Sequence, residues 1–206
     1  MAIDVLLSGF EPFDGAATNE SWEAVRRALP FLREAGVRVA DLLLPVEFGR
    51  GADALLAEAR ALHPSLVVAT GLAAGRLRVT PERTAVNVQD ARIPDNAGAS
   101  PVDEPCVPGG PVGYFSTLPI KTMVAASPSL AAVSQTAGTF VCNDVFYRLQ
   151  HALATEPELA GTRGGFVHVP ATADLPVAET ARVLVEMLWA ALRTRDDVRV
   201  SGGAES

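Results

Sequence analysis

Apolar positions fall into two kinds of run over the first third of the chain. IDVLLS (3–8) is continuous and closed by Gly9, whereas ESWEAVRRAL (20–29) puts Trp22, Val25 and Leu29 at helical spacing, with Asn19 available as N-cap. These read as strand, loop, helix. VRVADLLLP (37–45) predicts a second strand and ADALLAEARALH (52–63) a second helix, closed by His63 and Pro64. LVVATG (66–71) is short and uninterrupted, as strands buried on both faces are. The β-α-β-α-β order predicts an α/β fold with an open, twisted, mostly parallel sheet and helices on both faces.

The pattern then changes. RLRVTPERTAVNV (76–88) alternates like an exposed-edge hairpin or β-ribbon. Asp90 to Pro119 shows no sustained period and holds six prolines, and a Pro-rich loop of that length is expected to serve function or an interface. Periodicity resumes with a short helix (120–126), a strand (132–136) and a helix from near Phe140. GFVHVP (165–170) predicts another buried strand, and Val177, Ala181, Leu184, Val185, Leu188 and Leu192 mark a last helix. The tail from Asp196 is expected to fray. No repeat or linker divides the chain, so residues 1–206 are expected to form one domain.

Charge narrows the partners. The net charge is −7 without a Lys/Arg stripe, which argues against nucleic acid or an anionic membrane surface. The apolar start lacks a basic leader and no apolar stretch approaches membrane-spanning length, so a cytoplasmic location is expected. Cys106 and Cys142 lie in unlike contexts, which favours free thiols over a structural zinc site, and neither metal nor cofactor is expected.

Few residues suggest chemistry. Cys142 falls in the first turn of a helix whose apolar face is Val141, Val145 and Leu149; a helix N-terminus stabilises a thiolate, yet a free Cys there also serves as a small hydrophobe. Cys106, between acidic neighbours and outside a helix, is the weaker nucleophile. His63 and His151 sit late in helices. His168 lies near the C-terminal end of a strand, where open α/β sheets build sites, although a core histidine bonded to a carbonyl fits equally. Glu82 could form a solvated pair with Arg83. GLAAGR (71–76) matches a phosphate loop only loosely.

In order along the chain, SGFEPFDG (8–15), GLAAGR (71–76), ERTAVNVQDARIPDN (82–96), GYFSTLPIK (113–121), TAGTFVCNDVFY (136–147) and GFVHVP (165–170) resemble pyroglutamyl peptidase type I, the pyrrolidone-carboxylate peptidase family. The resemblance implies a cysteine peptidase that removes N-terminal 5-oxoproline from peptides, forming a thioester acyl-enzyme through Cys142, His168 and Glu82. It also implies Phe10 and Phe13 as walls for the lactam ring, Asn19 as a polar group beside it, and a homotetramer. The Cys142 backbone N–H, with Arg92, is the expected oxyanion partner. Departures are Asp14 for a usual Gly, Asp144 for an aromatic or His, ATAD (171–174) for a Tyr-x-Pro-Glu segment, and a shortened 126–132. Asp144 is about 200° around the helix from Cys142 and is expected to point away. The competing reading is a catalytically silent module that binds a lactam or peptide end.

Overall fold

The computed structural model describes residues 3–203. Strand β1 (Val5–Phe10) leads to helix α1 (Glu20–Glu34), β2 (Val39–Leu44), α2 (Arg50–Leu62) and β3 (Leu66–Leu72). After β4 (Thr80–Pro81), β5 (Thr84–Val86) and β6 (Gly113–Phe115) come α3 (Ile120–Ala126), α4 (Val141–Thr155), β7 (Arg163–Val169) and α5 (Val177–Arg193). The main sheet runs β2-β1-β3-β7-β4, parallel except for the antiparallel edge strand β4. The α/β class and mostly parallel sheet agree with the expectation from the sequence.

Alternation along the strands sends neighbouring residues to opposite faces. Val5, Leu7, Val68 and Val167 pack with α1, α3 and α5, while Leu6, Val67, Ala69 and Phe166 pack with α2 and α4. Helices therefore cover both faces of the sheet.

The helix ends follow from local chemistry. Asn19 Oδ1 accepts from the Ser21 N–H at 3.0 Å, and Glu20 and Glu23 complement the N-terminal dipole of α1. This helix continues past Leu29 through Pro30. Pro30 and Arg26, whose carbonyl loses its usual partner, are both exposed, so water can replace the bond, while buried Leu32 holds the last turn. His63 ends α2 in the left-handed conformation at φ 45°.

Two expected elements take another form. Residues 76–88 do not pair with themselves: β4 joins the main sheet, and β5 forms a two-stranded ribbon with β6, a short strand inside the Pro-rich stretch that the sequence pattern reads as loop. Residues 132–136 are not a strand, although 130–134 run beside 79–83. Val79 N donates to Leu130 O, Ala132 N to Val79 O, Ser134 N to Pro81 O and Arg83 N to Ser134 O. The remaining rung of such a parallel ladder needs an N–H at residue 81, and proline has none. Only isolated bridges remain, at Val79–Ala131 and Glu82–Ser134.

The Pro-rich segment is held by polar contacts. Asp95 accepts from the N–H groups of Phe48, Ala97 and Ala99, and Gln89 and Glu104 exchange backbone bonds. Beyond Asp196 the described residues form no helix or strand, yet they do not hang free. Asp197 accepts from the N–H groups of Lys121 and Thr122 at the start of α3, and the Gly202 carbonyl accepts from Arg83 and Gln135. Fraying at 204–206 lies outside the described residues.

Candidate active site

The parallel strands end on one side of the sheet, where open α/β folds gather ligands. Phe10 ends β1, Leu72 ends β3 and His168 precedes the last residue of β7, while α4 begins beside them. A cavity of about 760 Å³ opens there, lined in part by Phe10, Phe13, Asn19, Arg92, Cys142 and His168. Residues spread over 159 positions of sequence thus share one cavity, and Glu82 stands behind its histidine.

Glu82 is fully buried on the segment after β4. Its Oε1 takes the His168 Nδ1 at 2.7 Å and the Arg76 Nη1 at 2.6 Å, while Oε2 is buried without a partner among the described residues. The pairing with Arg83 considered from sequence does not form. Neighbours in extended backbone face opposite ways, and Arg83 reaches the Gln135 side chain and the Gly202 carbonyl, each at 2.8 Å.

Burial dominates His168 and pushes its pKa below the ordinary histidine value, against the opposing pull of Glu82; Arg76 lowers it further. With Nδ1 engaged by the carboxylate, Nε2 is the nitrogen left for a reacting group. Cys142 lies in the first turn of α4, as the pattern predicted, but its thiol is not depressed. Burial pushes it up to about 12, with the Glu82 charge adding to the rise and Arg76 opposing it. The helix terminus is outweighed because desolvation penalises the thiolate directly. Among the described residues no hydrogen bond joins Sγ to the imidazole, and the raised thiol and lowered imidazole pKa values both favour the neutral forms.

The rest of the wall is built locally. Phe10 is both wall and core, 2% exposed and 6.3 Å from the Phe166 ring centroid. Half-buried Phe13 faces Phe140 at 6.4 Å. Asn19 caps α1 and also donates Nδ2 to the Glu11 carbonyl at 2.9 Å, tying down the loop that carries both phenylalanines. Arg92 is exposed at the rim, without an ion pair among the described residues; its loop is held where Asp90 and Thr139 exchange bonds at 2.9 and 2.8 Å. Asn143 and Asp144 donate their N–H groups to the Phe140 carbonyl, whereas those of Val141 and Cys142, at the very start of the helix, have no backbone acceptor among the described residues.

Other candidates lie elsewhere. Cys106 is buried with Sγ 3.5 Å from the Val88 carbonyl, its thiol also pushed up to about 12. His63 contacts the Glu158 carbonyl, and His151 the Tyr114 hydroxyl at 2.8 Å. Asp144 does point away from Cys142: it accepts from Gly49 N–H at 2.8 Å and from Gln89 Nε2 and Arg148 Nε at 2.7 Å. No group of three or more His, Cys, Asp or Glu side chains among the described residues could hold a metal ion.

Two site residues escape sequence reasoning, both within the GLAAGR stretch read there as a weak phosphate loop. Arg76 is one. Gly71 is the other: it pairs with His168 across β3 and β7, and a Cβ there would lie 2.8 Å from Cys142 Sγ and 2.8 Å from the Phe166 ring. A glycine at the end of an otherwise apolar strand was the available signal of close approach.

The family model for pyroglutamyl peptidase matches residues 3–196. A pyrrolidone-carboxylate peptidase from Streptomyces coelicolor is 49% identical, over 97% of this chain and 98% of that protein. One from Clavibacter michiganensis subsp. michiganensis is 46% identical over the same shares. The crystal structure of Bacillus amyloliquefaciens pyroglutamyl peptidase I superposes with a TM-score of 0.88 at 36% identity, covering 95% of this chain and all of that one. With the match running through every strand of the sheet and every wall of the cavity, the chain belongs to the pyroglutamyl peptidase family.

Proposed function

We propose that this protein is a cysteine peptidase that hydrolyses the amide bond after an N-terminal pyroglutamate, with Cys142 as nucleophile, His168 as proton carrier and Glu82 as its orienting carboxylate. The observation that carries the assignment is the 2.7 Å contact of Glu82 with His168 Nδ1, on a histidine that lines the same cavity as Cys142. That contact fixes the tautomer with the Nε2 lone pair free.

From a neutral pair, the Sγ proton passes to Nε2 as sulfur bonds to the pyroglutamyl carbonyl carbon, and Glu82 stabilises the imidazolium that forms. The carbonyl oxygen takes the negative charge beside the Cys142 N–H, with Arg92 at the rim as a second cationic group. Nε2–H then protonates the leaving peptide amine as the C–N bond breaks, giving a thioester. Water, losing its proton to Nε2, attacks the thioester, and free pyroglutamate and the thiol are regenerated. Phe10 and Phe13 supply apolar surface for the lactam ring, and the Asn19-held loop keeps them in place.

Turnover of one chromogenic amide, in pyroglutamyl and prolyl forms, tests the reading. A pocket that hydrogen-bonds a neutral lactam should favour the pyroglutamyl form by about 10⁴-fold in kcat/KM, because proline brings a charged amine and leaves polar partners unpaired. Comparable values would remove lactam recognition, and no turnover of either would favour a silent binding module. Cys142→Ser and His168→Ala should each lose about 10³-fold or more, whereas Cys106→Ser and His151→Ala should remain active.

A further inference from the structure

We propose that Arg76 is a positioning residue of this site: it balances the charge of buried Glu82 and ties that carboxylate to the segment leading into Cys142. The inference rests on the peptidase reading above and adds a fourth member to its machinery.

The geometry is specific. Among the described residues Arg76 is the only arginine or lysine bonded to Glu82, and it shares Oε1 with the His168 ring while Oε2 has no partner. The carboxylate therefore holds its histidine and its counter-charge through a single oxygen. Removing one member of a buried pair leaves an uncompensated charge, which reorganises its surroundings. That would loosen the grip on Nδ1. Arg76 also bonds the Thr80 hydroxyl, and its Nη2 donates to the Thr136 carbonyl at 3.3 Å. Thr136 precedes Ala137, Gly138 and Thr139 in the cavity wall that runs into α4 and Cys142. One guanidinium thus joins β4, the glutamate and the loop before the nucleophile. It reaches them because the turn after β3, with Arg76 N donating to the Ala73 carbonyl and Gly75 at φ 87°, bends the chain back over the strand ends.

The electrostatics point the same way. The charged groups facing Cys142 and His168 are Glu82 and Arg76, with Asp90 and Arg92 lining the cavity; Asp144, on the same helix as Cys142, is engaged with Gly49, Gln89 and Arg148. Glu82 raises the thiol and Arg76 lowers it, so the arginine offsets the charge by which Glu82 would hinder sulfur attack. Arg76 also holds the imidazole lower.

Two variants of Arg76 and two readouts decide the matter, with His168→Ala as the benchmark. Arg76→Met should lower kcat/KM on the pyroglutamyl amide by about 10- to 100-fold, mainly in kcat, as loss of an outer partner of an oriented histidine does. It should also move to higher pH both the acid limb of kcat/KM and the alkylation of Cys142 by iodoacetamide, followed by peptide mass. Arg76→Lys keeps the charge without the fork and should recover at least about tenfold of the loss. A folded Arg76→Met with unchanged kcat and unchanged pH profiles overturns the proposal, as does a lysine variant no better than the methionine one. If Arg76→Met does not fold, Arg76→Lys decides alone: activity within about tenfold of wild type supports the role, and a loss equal to that of His168→Ala overturns it. Failure of wild type to turn over the amide would instead sink the peptidase reading, while the alkylation profile still tests Arg76.

Discussion

Around Cys142 the decisive effects are of atomic size. Burial pushes the Cys142 thiol up to about 12, which disfavours a preformed thiolate. Alkylation of Cys142 by iodoacetamide should accordingly be slow at pH 7 and still be rising at about pH 10, well beyond the titration of an ordinary cysteine. A plateau near neutral pH would show that the thiolate is already formed and the neutral-pair mechanism wrong. Gly71 makes room for that sulfur. Gly71→Ala puts a methyl 2.8 Å from Sγ and from the Phe166 ring, so sulfur or ring must move. A displacement of about 1 Å at a nucleophile costs on the order of 10²-fold in rate. Gly71→Ala should therefore lose kcat while KM changes little, and a wild-type kcat would show that the sulfur has other room.

Among the elements, the N-terminus of α2 has no side-chain cap of its own, since Gly49 occupies that position. Asp144, reaching across from α4, supplies the acceptor for Gly49 N–H and also binds Gln89 and Arg148. The Asp144 carboxylate is thus a brace between α4, α2 and the start of the Pro-rich segment. Asp144→Ala strands the part-buried Gly49 N–H, the buried Gln89 amide and Arg148, and should destabilise the fold by about 3 kcal/mol, read from denaturant midpoints. A change under about 0.5 kcal/mol would mean that water replaces the carboxylate there. Element identity was legible where a strong apolar period set it, as in α2, α3, β3, β7 and α5. It was not legible at 132–136, where the rung missing at Pro81 interrupts the pairing.

For the whole molecule, burial of His168 links the site to acid stability. Its folded pKa lies below its unfolded value, so the unfolded chain binds the extra proton first as pH falls. Stability is therefore full above about pH 6.5 and declines below it, toward the lower folded value. Asp4 and Glu156, held down by Arg38 and Arg60, protonate only further into acid. Tm should fall between pH 6.5 and pH 5, and His168→Gln should flatten that slope. An equal slope in the variant would place the acid sensitivity elsewhere. The same depressed value should carry the acid limb of kcat/KM below the usual histidine range.

The sequence alone settled what repeats locally: the β-α-β order, the two-faced parallel sheet, the helix entry at Cys142, and the ordered blocks by which the family could be identified. The first three follow from side-chain periodicity and turn chemistry, both readable in a window of a few residues, while the blocks carry a resemblance of sequence. The partner of Glu82, the elevation of the Cys142 thiol, the double use of Phe10 as core and wall, and the need for glycine at 71 came only from the tertiary structure. Each depends on which groups from distant segments exclude water around one another, and desolvation and close approach are properties of the assembled cavity that sequence spacing does not encode.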